Sequence, residues 1–249
     1  MENKRSNFCF LSGNALKFIA AFCMLLDHIG VMLIDNVALR FIGRLALPIF
    51  AYMIAEGCKY TKNRLRYFLS VFSLAALCQI AYFVFAHDTS MCILVTFSIS
   101  IATVYALDFL KNSIFAYKKS AFKIGLGVFL FVSAIAMAIV LNHFFVIEYK
   151  FWGCMLPVAV SLFHTPKENA PAIFKTLDTV PFKVLMLGIC LVFVTLTARL
   201  GAEIQWFSFL ALPLLLLYSG KRGKLRTKYF FYIFYPVHLL VLEGISMII

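Results

Sequence analysis

The chain has 249 residues, of which 63% are hydrophobic and 14% charged, and 28 are Phe. A soluble domain of that composition would leave far more apolar surface in water than soluble proteins tolerate, whereas a bilayer accepts it as solvent. The net charge of +12 raises nucleic acid as a partner. The basic residues, however, gather in connections between apolar stretches, as the positive-inside rule describes, and this argues for a lipid bilayer and no nucleic acid.

Nine apolar segments follow one another, at about 15–34, 41–58, 67–86, 91–110, 121–142, 151–164, 183–200, 206–219 and 229–248. They predict an all-α, polytopic transmembrane helix bundle of about nine spans, with eight to ten compatible with the two short segments. Only helices and closed barrels satisfy the backbone in lipid, and the ten-residue alternation of barrel strands is missing. Residues 1–249 read as a single integral-membrane domain without an internal repeat. The first segment is of membrane length and has no A-x-A-like processing site, so it reads as a permanent span. Basic clusters follow segment two (Lys59, Lys62, Arg64, Arg66), lie between segments four and five (Lys111, Lys118, Lys119, Lys123), and precede the last (Lys221, Arg222, Lys224, Arg226, Lys228). In nine spans these fall on one side, which places the N-terminus in the cytoplasm. The connection from His164 to Phe182, with Pro166, Pro171 and Pro181, reads as a cytoplasmic loop. The seven Cys show no CxxC or metal-ligand spacing and read as small buried residues, and no metal is expected.

Ionisable residues inside spans cost about 2.5–3.5 kcal/mol or more each, so those present carry the most information. In segment one, Lys17 and His28 are eleven residues apart, about 16 Å along a helix and on nearly the same face. Asp27 points about 100° away from His28. Lys17 can serve a site or snorkel to headgroups, and Asp27–His28 can form an active centre or link helices. In segment two, Arg40 and Arg44 are four apart and share one face, and Arg44 enters the membrane at about the depth of His28. They can compensate Asp27, bind a carboxylate or stabilise an oxyanion, while Arg40 also suits an interfacial anchor. Glu56 is expected to pair with Lys17 or a neighbouring basic residue.

Between segments five and six, Glu148-Tyr149 and Trp152-Gly153 form an aromatic turn that suits either an interfacial belt or acceptor binding. The loop Ser219-Gly220-Lys221-Arg222-Gly223-Lys224 is basic and Gly-punctuated. It can grip phosphates, though without P-loop spacing, or simply mark the cytoplasmic side. In the last segment Phe231, Tyr235 and His238 share a face, and Glu243 can orient His238 or face the outer leaflet. His238 can share a centre with His28 or bond a neighbouring carbonyl. A histidine suits removal of a proton from a hydroxyl or amine near neutral pH, provided something such as Asp27 or Glu243 fixes its tautomer.

The blocks Leu16-Lys17-Phe18-Ile19-Ala20 through Met24-Leu25-Leu26-Asp27-His28-Ile29-Gly30, Arg40-Phe41-Ile42-Gly43-Arg44-Leu45-Ala46-Leu47-Pro48-Ile49-Phe50-Ala51-Tyr52, and Phe231-Tyr232-Ile233-Phe234-Tyr235-Pro236-Val237-His238-Leu239 resemble the TraX family. That family is named for a protein that acetylates the N-terminus of pilin. TraX proteins in turn resemble the acyltransferase type 3 superfamily, whose first span carries a basic residue, ten residues, then a catalytic His. Lys17 and His28 match that spacing. The resemblance implies a multi-pass enzyme of the bacterial cytoplasmic membrane using acetyl-CoA or another acyl-CoA as co-substrate, without a metal. It implies His28 as base, Lys17 assisting acyl-CoA and Arg44 helping to build the site. Together with the charge pattern, it makes Asp27, His28, Arg44 and His238 the catalytic candidates, and Lys17, Lys221, Arg222 and Lys224 the acyl-CoA candidates. Arg40, Tyr235, Glu148 and Tyr149 are the acceptor candidates, for an acceptor that is a peptide, glycan or cell-wall component at the outer face. A secondary transporter or proton-coupled carrier, or a non-catalytic scaffold or lipid-binding protein, would use the same intramembrane charges differently.

Overall fold

A computed structural model describes residues 9–86, 90–198, 202–224 and 228–248. The regular elements are helices: α1 (Gly13–Met32), α2 (Val37–Gly43), α3 (Ala46–Tyr60), α4 (Arg64–Ala81), α5 (Ile93–Ile114), α6 (Ala121–Phe144), α7 (Lys150–Ser161), α8 (Ala172–Leu177), α9 (Val180–Thr197), α10 (Ala202–Gln205), α11 (Ala211–Leu216) and α12 (Lys228–Ser246). A π-helical turn (Tyr82–Ala86) follows α4, and a 3-10 turn (Trp206–Leu210) precedes α11. Polar residues in the connections start several helices. Ser12, Asn36, Asn63 and Ser120 each accept a backbone N–H of the helix they open, from Ala15, Ala38, Arg66 and Lys123.

Among the described residues, six helical stretches are long and apolar enough to cross a membrane, so the protein reads as multi-pass: Gly13–Met32, Val37–Tyr60, Arg64–Val84, Ile93–Ile114, Ala121–Phe144 and Val180–Thr197. The other three expected segments are shorter. Lys150–Ser161 has 12 residues, about 18 Å of helix against a hydrocarbon core of about 30 Å. The segment expected at 206–219 is broken into a 3-10 turn and the six residues of α11. Phe230–Ser246 is apolar but below full span length. The expected second segment is also not one smooth helix. It begins earlier, at Val37, and changes course at Arg44–Leu45, with Pro48 in the first turn of α3, where its missing N–H costs nothing.

The chain forms two compact units, residues 1–53 with 195–249 and residues 54–194. In the first, α1 packs on α2 and α12. Its buried side chains include Leu16, Ala20, Ala21, Cys23 and Tyr52, with Tyr52 edge-on to Tyr218 at 5.8 Å. In the second, α5 is central, packed by α4, α6 and α7. Its small polar residues bond backbone carbonyls: Ser100 donates to Cys154 O at 2.8 Å and Thr96 to Glu148 O at 2.8 Å. Gly127 of α6 sits against Leu110, where a β-carbon would lie 2.9 Å from the Leu110 Cα. The remainder of α6 exposes Phe122, Phe129, Val132 and Met137, an outer face suited to acyl chains.

Candidate active site

Asp27 and His28 are adjacent on α1 and therefore point in different directions, and each reaches a different helix. Asp27 turns to the end of α2, where one terminal nitrogen of Arg44 donates to Oδ1 at 2.7 Å and to Oδ2 at 2.9 Å. Both side chains are mostly buried, at 18% and 14% exposure, so each charge is made tolerable by the other. Arg44 N–H in turn bonds the Arg40 carbonyl at 3.1 Å, which keeps the two arginines one helical turn apart. Gly43 makes the approach possible, since a β-carbon there would collide with the Asp27 side chain.

His28 turns to α12. Its Nδ1 lies 2.9 Å from the carbonyl of Met24, four residues back, and a carbonyl can only accept. The proton of the neutral ring is therefore on Nδ1, and Nε2 carries the lone pair. The same device is repeated on α12, where His238 Nδ1 lies 2.8 Å from the Phe234 carbonyl. His238 Nε2 then has a lone pair, and it points at His28 Nδ1 from 3.3 Å. The two assignments agree: His28 Nδ1–H is shared between Met24 O and His238 Nε2. Phe234 stacks on His238 at 4.8 Å and Tyr235 meets it edge-on at 5.8 Å, which fixes the ring plane. Tyr235 and His238 are buried.

This geometry bears on two sequence expectations. Neither Asp27 nor Glu243 fixes a histidine tautomer, because backbone carbonyls one turn back do so. His238 bonds a neighbouring carbonyl and also meets His28, so the two readings of it hold together. With its one N–H given to Phe234 and its lone pair turned to His28, neutral His238 has no donor left for an oxyanion.

At the other end of α1, Lys17 is half-buried, with Nζ 6.0 Å from the Phe231 ring centroid and Arg222 within electrostatic range. Among the described residues it has no ion pair. The loop Ser219–Lys224 is strapped to the start of α1: Gly13 N–H bonds Lys221 O at 2.8 Å and Asn14 N–H bonds Arg222 O at 2.9 Å. Leu11 and Tyr218 form a parallel bridge beside it. Gly223, at φ +94, leaves no room for a β-carbon against Ser12 Oγ. The first amides of α1 are thus taken by loop carbonyls. Any phosphate gripped here would meet the exposed side chains of Lys221, Arg222 and Lys224 rather than a helix N-terminus. Arg226 and Lys228 of the same basic cluster lie outside the described side chains.

The family model described as TraX protein matches residues 12–246. The chain belongs to the TraX family. A probable fimbrial assembly protein FimC, serogroup H1, of Dichelobacter nodosus is 26% identical over 243 residues, covering 93% of this chain and 94% of that protein. No solved structure matches the chain.

The remaining candidates of this TraX chain fall in different places. The Arg40 stem lies against Gly30, where a β-carbon would be 3.3 Å from its Cγ, and Arg40 makes no ion pair among the described residues. Glu148 and Tyr149 belong to the second unit. Glu148 accepts from Thr96 through its carbonyl, and Tyr149 opens α7 in a left-handed conformation at φ 58. Among the described residues, no group of three or more His, Cys, Asp or Glu is placed to hold a metal.

Sequence reasoning missed a second charged cluster, in residues 54–194 of the TraX chain. Glu56 of α3 pairs with Lys183 of α9 at 2.8 Å, which answers the question of its partner. Lys183 also meets Asp178 at 3.0 Å, and Lys59 Nζ bonds both oxygens of Asp178 at 2.8 and 2.7 Å. Thr165 adds its N–H at 2.9 Å and its hydroxyl at 2.8 Å to the same carboxylate. Burial works to raise Asp178, but Lys59, the Thr165 amide and Lys183 outweigh it and hold the carboxyl well below its ordinary range. Beside it Lys111 pairs with Asp108 at 3.2 Å, and Arg64 with Asp108 at 3.0 Å. The connection expected as a plain loop from His164 to Phe182 is instead folded: it contains α8, Asp178 and the start of α9, and His164 is 3% exposed. Burial, then Lys183, Lys111 and Lys59, push His164 down to about 2, so its ring is neutral. The signal available in the sequence was acidic: Glu56, Asp108 and Asp178 stand at or beside the ends of apolar segments whose flanks are otherwise basic.

Proposed function

We propose that this TraX-family protein is a membrane-bound acyltransferase that moves an acetyl or other short acyl group from acyl-CoA to an amine or hydroxyl at the outer face. The observation that carries the reading is the orientation of His28, whose Nδ1–H is held by Met24 O and His238 Nε2, leaving the Nε2 lone pair as a base. The acceptor nitrogen or oxygen attacks the thioester carbonyl while Nε2 takes its proton. The tetrahedral intermediate collapses, the C–S bond breaks, and CoA leaves as the thiol after recovering that proton from His28. The imidazolium formed in between lies next in sequence to Asp27, whose charge Arg44 holds in place. Arg44, a planar guanidinium held beside Asp27, is the cation assigned to the oxyanion. His238 serves as a positioning residue for His28.

In this scheme Lys17, Lys221, Arg222 and Lys224 attract the phosphates of acyl-CoA, and Arg40 and Tyr235 face the acceptor. The whole chain works as one domain of about nine spans in the bacterial cytoplasmic membrane, with the N-terminus in the cytoplasm. The TraX model and the fimbrial name of the relative support a protein amine, such as that of a fimbrial subunit, as one acceptor beside glycans and cell-wall components.

The test is transfer of label from radiolabelled acetyl-CoA by the purified protein to added peptides, glycans and cell-wall fragments. Wild type is expected to transfer and to gain thermal stability with CoA. A normally folded His28→Ala protein that transfers as well as wild type would sink the proposal. A proton-coupled carrier is the second reading, favoured by the buried charges of the second unit. Substrate-dependent proton flux in liposomes without any response to CoA would select it.

A further inference from the structure

The second charged cluster is not used by the proposed chemistry, and its polar groups are not fully satisfied. Among the described residues, neither ring nitrogen of His164 nor the hydroxyl of Ser161 has a hydrogen-bond partner, although His164 is 3% exposed and Ser161 0%. The two belong to one place, because Lys111 Nζ holds the carbonyl of Ser161 at 2.9 Å and that of His164 at 3.3 Å. A buried polar group left without a partner is costly, and three such atoms on residues 161 and 164, whose carbonyls share one lysine, call for a complement.

Chemistry narrows what that complement is. A neutral imidazole offers one donor and one acceptor, and a hydroxyl offers the same kinds. Lys183, Lys111 and Lys59 all act on the His164 ring, with Asp178 opposing them. Across the cluster four cations face three carboxylates, an excess of one positive charge. A species that both accepts and donates hydrogen bonds and carries negative charge satisfies all of this, as a hydrogen phosphate or phosphomonoester does. Lys59 and Arg64, with side chains 23% and 36% exposed, are the members of the cluster nearest solvent.

We propose that Ser161, His164 and Lys111, with Lys59 and Lys183, form a phosphate-type oxyanion site in the second unit. It stands independently of the acyl-transfer reading. The experiment is thermal unfolding of the purified full-length protein in phosphatidylcholine nanodiscs, titrated with inorganic phosphate against chloride at matched ionic strength and pH. Wild type is expected to gain stability saturably with phosphate, and His164→Leu and Ser161→Ala are each expected to weaken that response about tenfold or more. Ser161→Ala removes one oxygen only and keeps the test alive if His164→Leu fails to fold. Nanodiscs containing phosphatidate form the second arm. Saturation by soluble phosphate assigns a soluble phosphate group, while stabilisation confined to phosphatidate discs assigns a lipid headgroup, and either supports the site. No saturable effect in either arm, as when only water bridges these atoms, overturns it. So does an equal response from wild type and Ser161→Ala.

Discussion

His28 Nδ1 and His238 Nε2 lie 3.3 Å apart, and each ring is anchored by its own Nδ1 on the carbonyl one helical turn back. The proton between them is thus assigned by two carbonyls rather than by a carboxylate. Removing the acceptor should loosen His28 without removing the base. His238→Ala is expected to lower acyl transfer about tenfold or more, the scale of one hydrogen bond of about 1.4 kcal/mol. His238→Gln, which keeps an acceptor, is expected to recover much of that loss. Transfer rates of the two variants against wild type check it, with equal losses speaking against a positioning role.

The Asp27–Arg44 pair is buried enough that either half alone is worse than neither. Asp27→Asn and Arg44→Gln are each expected to destabilise the protein by about 3 kcal/mol, as for a broken buried pair. The double variant should be less unstable than the sum of the two. Thermal denaturation in one detergent checks the coupling, and strict additivity would contradict it.

Gly43 is predicted to be needed for space. Gly43→Ala pushes a methyl into Asp27, and overpacking of this kind costs about 1–3 kcal/mol. It is expected to lower both melting temperature and acyl transfer, whereas Gly244→Ala, where nothing lies within 4 Å, should do neither.

The second unit gives the protein an acid limit. His164 is pushed down to about 2 in the fold, so below its ordinary value near 6.5 the unfolded chain binds a proton that the folded one refuses. Stability is therefore full above about pH 6.5 and is lost as pH falls, by at most about 1.4 kcal/mol per pH unit for one such group. Asp178, held below its ordinary range, adds a second loss that begins below about pH 4. Melting temperature measured from pH 8 to 4 should slope downward below 6.5, and a folded His164→Leu should flatten that limb.

The first unit was largely legible because an ion in a long apolar run has no cheap explanation. Lys17, Asp27, His28, Arg44 and His238 stand out on that ground, and the eleven-residue spacing of Lys17 and His28 follows from helical geometry. Their partners were less legible. Consecutive residues give only angles, and whether Asp27 met His28 or Arg44 depended on Gly43 letting α2 close in. The second cluster stayed hidden because each lysine in it sits at the end of an apolar segment, where snorkelling already accounts for a lysine. The partners Glu56 and Lys183 are 127 residues apart, and nothing local links them. The break after Gly43 and the short helices around residue 210 went unread because hydropathy measures apolar length, not the continuity of the helix.

The two histidines come from the first and the last helices described, 210 residues apart. During synthesis at about 5–20 residues per second, roughly 10–40 seconds separate their appearance. Throughout that time α1 carries its half of the pair, and truncated products ending before α12 contain the base without its partner. On the proposed function, full activity would arrive only when α12 enters the membrane and docks on α1, so a chain halted midway would hold the base without the residue that positions it.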